Sequence, residues 1–85
     1  MNIEKYVKQR DEMLLKCDIN ELRKFVRKNK GLYDKRFVKA FSVATDEVVE
    51  MTLHKMIVNC TNLPFNFRQK SADWLIDKGL SLDIN

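Results

Sequence analysis

Apolar residues recur at helical spacing in five segments of the chain, and capping or turn-forming residues separate them. Ile3, Tyr6, Val7, Met13 and Leu14 share one face of a first helix over about residues 3–16, with Asn2 placed to cap it. Arg10 falls inside that stripe. Either its stem packs while the guanidinium reaches water, or it pairs with a carboxylate from another helix; the desolvation cost of a buried pair favours the first. Asp18 followed by Glu21 has the spacing of a capping box, so a second helix begins at Ile19 and turns Leu22, Phe25 and Val26 inward. Gly31 supplies the left-handed position that ends it. Residues 34–42 predict a short third helix capped by Asp34 that buries Phe37, Val38 and Phe41.

Thr45 opens a fourth helix running to about Cys60, with Asp46 and Glu47 near the positive end of its dipole. Val49, Leu53, Met56, Ile57 and Cys60 form its inner face. Pro64 cannot continue that helix but suits the first turn of the next, which spans about 64–78. Gly79 and Leu80 then have the arrangement of a Schellman motif closing on Leu75. The tail alternates Leu80, Leu82 and Ile84 and is expected to lie extended along the bundle. The fifth helix is apolar around more than half its circumference through Phe65, Phe67, Ala72, Trp74, Leu75 and Ile76, wider than one packed stripe needs. That predicts a central position or a face that meets a partner. The pattern as a whole specifies one all-α domain over residues 1–85, a compact bundle of four to five short helices with an extended C-terminal tail.

Length changes the picture in one respect. A chain of 85 residues buries only about 60% of the surface its unfolded form exposes, which leaves room for a second subunit, as in a homodimer, or another partner to add burial. Hydrophobic residues make up 45% and charged residues 33%, the balance of a folded chain, and no apolar run approaches a membrane-spanning length. The charged first segment has no secretory-signal pattern, so a cytoplasmic location without membrane contact is expected. Cys17 and Cys60 stand far apart without a CxxC pair and read as reduced, buried thiols.

Charge is uneven. Residues 23–39 hold eight basic side chains and one acidic one, +7 against a whole-chain net of +4, so the rest of the chain sums to −3. Arg23, Lys24, Arg27, Lys28, Lys30, Lys35, Arg36 and Lys39 form this basic pole. One reading is a helix-turn-helix whose second helix enters a major groove while lysines neutralise phosphates. Arg27 stands where such a turn favours a small residue, and Arg36 is the only plausible base reader, so a solvated face or an acidic partner accounts for the same residues.

His54 is the only histidine. It lacks the spacing of a metal motif or a catalytic partner, and the glycines stand singly, so no metal, cofactor or enzymatic chemistry is expected. Met51, His54, Lys55 and Val58 instead form a fourth-helix ridge on which the wheel leaves apolar groups outside the core, a candidate seat for a partner helix.

His54-Lys55, Leu63-Pro64, Lys70-Ser71, Trp74-Leu75 and Gly79 together resemble a group of small uncharacterised helical proteins from Gram-positive gut-type bacteria and their mobile elements. The likeness covers the C-terminal half, and its motifs are caps and core positions. It implies no particular activity, only a setting in which small helical proteins bind and block something larger. The expected function is therefore a non-catalytic protein-binding module with a regulatory or inhibitory role; the alternative is nucleic-acid binding through residues 23–39.

Overall fold

The computed structural model describes residues 2–83. Five helices follow one another: α1 (Ile3–Lys16), α2 (Ile19–Lys28), α3 (Lys35–Ser42), α4 (Asp46–Asn59) and α5 (Phe65–Asp77), with a 3-10 turn at Lys30–Leu32 between α2 and α3. No strand occurs among the described residues. The Cα radius of gyration is 12.6 Å, close to the ~12 Å of a compact chain of this length.

Local chemistry sets the boundaries. Asn2 accepts the Lys5 N–H at 3.1 Å, Asp18 those of Asn20 and Glu21, Asp34 that of Arg36 at 2.7 Å, and Thr45 that of Val48 at 3.3 Å. Each satisfies a donor that the first helical turn leaves orphaned. The return arm of the expected capping box is diverted, because the Glu21 carboxylate faces Lys16 at 3.8 Å. Pro64 is the residue before α5. At the other end the Leu80 N–H reaches the Leu75 carbonyl and the Gly79 N–H that of Ile76, both at 2.9 Å, with Gly79 at φ +69°: the Schellman closure.

Gly31 does not play the part expected of it. It lies inside the 3-10 turn without a positive φ, and α2 ends instead at Asn29, whose side-chain amide donates to the Phe25 carbonyl. The left-handed residue that no glycine pattern announces is Cys17, at φ 49°, which ends α1. Cys17 is also exposed, contrary to the expected buried thiol, because the α1–α2 bend turns it outward; Cys60 is buried.

The main core joins Met13 and Leu14 of α1, Leu22, Phe25 and Val26 of α2, Phe41 of α3, Val49, Leu53 and Ile57 of α4, and Cys60 and Leu63 beyond it. The central helix is α4 rather than α5. One face of α4 closes this core, while α5 packs along another. That arrangement leaves Phe65 and Ile76 of the broad α5 arc exposed, with Leu75 and Ser71 as its buried residues. Ile3 projects outward at 71% exposure although it shares the α1 stripe, since it lies with Val7 and Leu15 on a face lined by α1 residues alone. The tail passes the end of α4, where the Asn59 side chain donates to the Leu82 carbonyl at 2.9 Å; Ile84 lies outside the described residues.

Candidate functional site

The fourth-helix ridge is not the open surface that the wheel implies. His54 is only 9% exposed, its Nδ1 stands 2.9 Å from the Ser71 hydroxyl of α5, and its ring stacks on Trp74 with centroids 4.3 Å apart. Burial holds its pKa below the ordinary value, with the Glu50 carboxylate opposing that shift. Met51, Lys55 and Val58 are half-buried along the same helix. A wheel finds the strongest stripe on a helix but does not say whether a second face is covered, and here α5 covers it. Ser71, a small polar residue one turn before Leu75, is the partner that pattern within α4 does not announce; a buried histidine needs such a group.

A second polar knot ties α1 to the turn after α4. Asp11 accepts from the Arg10 guanidinium at 3.0 Å, the Cys60 thiol at 3.2 Å and the Asn62 amide at 3.2 Å. Desolvation raises the Asp11 pKa, but these donors outweigh it and the net shift is downward. Arg10 thus pairs with its own neighbour instead of reaching free into water. For Cys60, burial and the bond to Asp11 push the thiol pKa upward, which favours the protonated donor.

The basic pole divides. Arg23 is half-buried, donates to the Ala44 carbonyl at 3.0 Å and pairs with Asp46 at 2.9 Å, bracing α2 against the start of α4. Lys24, Arg27, Lys28, Lys30, Lys35, Arg36 and Lys39 are all exposed and make no ion pair among the described residues. Of these, Arg27 and Lys30 border a small groove between α2 and α3 that Arg23, Val38 and Ser42 also line, with the buried Val26 and Phe41 at its floor.

An aromatic series fixes this surface. Tyr6 packs against Phe25 at 5.5 Å between centroids, Tyr33 against Phe37 at 5.6 Å, and Phe37 against Phe41 at 5.3 Å, while the Tyr6 and Tyr33 hydroxyls meet at 2.8 Å. Burial and that hydroxyl contact hold Tyr33 as a neutral phenol. Phe37, expected in the core, is 37% exposed, and Leu32 next to the turn is 39% exposed. Phe37 and Leu32 thus add two partly exposed apolar groups among the cations, and the Phe37 ring is held by Tyr33 and Phe41.

Protein-family models, curated proteins and solved structures contain no match to this chain. Its chemistry has to be read from its own surfaces. Two of these surfaces set charged groups beside apolar ones: the cationic α2–α3 face, and a cleft between the first half of α4 and the end of α5. No helix among the described residues is long and apolar enough to cross a membrane, and those residues include no group of three metal-ligating side chains.

Proposed function

We propose that this protein is a stoichiometric binding module that takes an acidic, partly apolar segment of another protein on its α2–α3 face. The observation that carries this reading is the placement of Arg27 and Lys30 at a groove with the half-buried Val38, between two helices that hold five further exposed, ion-pair-free cations and the partly exposed ring of Phe37. Interfaces draw affinity from buried aromatic and aliphatic anchors, while rim charges steer approach and select the partner. A pure phosphate-binding face needs the cations but has no use for the apolar seam. A role in blocking or regulating a larger protein fits this mode and the resemblance of the C-terminal half to mobile-element proteins.

The test is fluorescence anisotropy with two labelled probes, an amphipathic helix built from Glu, Leu and Ala and a random-sequence DNA duplex. Both are titrated at about 50 and 200 mM salt, a range over which several phosphate contacts cost orders of magnitude in affinity. The peptide should bind, and both Lys28→Glu with Lys35→Glu and Phe37→Asp should weaken it. Binding of the duplex alone, steeply salt-dependent and indifferent to Phe37→Asp, would replace this reading with nucleic-acid contact. Failure of both probes at low salt would return the cations to a solvated surface.

A further inference from the structure

The cleft between α4 and α5 has a chemistry opposite to that of the basic pole. Trp74 and Lys78 are four residues apart and so share a face at the end of α5 and just beyond it. Val48, Glu50 and Met51 face them from the first half of α4, and Leu80 follows the Schellman bend. Together they enclose about 550 Å³, within the range of small-ligand sites.

An indole carries negative charge density on its ring face and attracts cations there. The ring of Trp74 is fixed in advance, since it stacks on His54 and His54 is held by Ser71. Pre-positioning of this kind removes part of the ordering cost of binding. Glu47 and Glu50 add two carboxylates at the cleft, neither of them in an ion pair among the described residues. Apolar walls from Val48, Met51 and Leu80 suit the methylene chain that accompanies an aliphatic amine. The chain itself displays the binding mode: the Lys78 ammonium lies 4.9 Å from the Trp74 ring centroid.

We propose that this cleft is a binding site for an alkylammonium group, with Lys78 as a built-in competitor for the Trp74 ring. A free polyamine and a lysine side chain presented by a partner carry the same group. The site is separate from the α2–α3 face, so it stands or falls independently of the function proposed for that face.

Trp74 is the only tryptophan, so its fluorescence reports the cleft directly. The intact protein is titrated with spermidine and, separately, with a blocked peptide holding one lysine, each against sodium chloride of matched ionic strength. A saturating change with either amine, absent in the salt control, is the expected result. Spermidine alone, the peptide alone, or both would identify the source of the group. Lys78→Gln should tighten binding about two- to fivefold, the weight of one exposed cation–π contact. Glu50→Gln should weaken it. Both positions are at least partly exposed, and far-ultraviolet circular dichroism verifies that the variants fold. No saturable change with either amine, a response equal to that of the salt, or a Lys78→Gln variant that binds no tighter would each overturn the proposal.

Discussion

The imidazole Nδ1 of His54 and the hydroxyl of Ser71 stand 2.9 Å apart in a buried contact that joins α4 to α5, with Trp74 stacked on the imidazole. Ser71 itself is 3% exposed, so the pair meets no solvent from the α5 side. The bond ties the middle of α5 to α4.

Ser71→Ala should therefore destabilise the fold by about 1–3 kcal/mol, the cost of leaving a buried polar partner unsatisfied. Lys70→Ala, at the exposed neighbouring position, should change stability by less than about 0.5 kcal/mol. Urea unfolding followed by circular dichroism measures both. Equal midpoints for the two variants would remove the bond from the account of how α5 is held.

The same pair predicts a pH dependence. Burial lowers the His54 pKa from its ordinary 6.5, so the folded state prefers neutral imidazole. The unfolded chain then binds more protons between the two values, and stability rises with pH across that window. The contribution is whole above pH 6.5 and is lost as pH falls from there toward the folded value. The charged group that acts on His54 is Glu50, which opposes the shift; Lys78 lies over the Trp74 ring that stacks on the imidazole. Urea midpoints taken through this window should decline for the wild type and stay flatter for His54→Gln; parallel curves would contradict the assignment.

These two residues also mark the limit of what the sequence carried. Asn2, Asp18, Asp34, Thr45, Pro64 and Gly79 announce helix ends through chemistry within a few residues of themselves, and the structure places helix boundaries at each. Leu22, Phe25, Val26, Val49, Leu53 and Ile57 reach the core because one periodic stripe suffices to find them. The helix wheel turns His54 outward because α4 is apolar on more than one side, and only the position of α5 decides which second face is covered. Arg23 shows the same limit. Its place in a basic run hides a bond to a carbonyl 21 residues away, and pattern within one helix holds no information about that carbonyl.

Arg23 and Asp46 should contribute unequally. Asp46 is 78% exposed, so its share of the ion pair is screened by solvent, and Asp46→Ala should cost no more than about 1 kcal/mol. Arg23→Ala removes the packed stem and the donor to the Ala44 carbonyl as well, and should cost more. A double-mutant cycle in low and high salt separates these parts: the pair's coupling should fall with salt, while the excess cost of Arg23→Ala should remain. Equal single-variant costs would show that the carbonyl bond contributes nothing.

Cys17 and Gly79 occupy the same left-handed backbone region with opposite suitability. Cys17 has φ 49° and carries a Cβ, whose approach to the following carbonyl strains that conformation; Gly79 at φ +69° is free of it. A Cβ on Gly79 would meet no heavy atom within 4 Å, so any cost of Gly79→Ala is backbone strain and not a clash. Gly79→Ala should thus lower stability by about 1 kcal/mol, and Cys17→Gly should raise it by a few tenths to about 1 kcal/mol, less than the full strain because glycine also loosens the unfolded chain. Cys17 is exposed, so little packing is lost in the exchange. Thermal unfolding of the two variants under reducing conditions should move in opposite directions; a loss of stability in Cys17→Gly would mean that the thiol contributes more than its backbone costs.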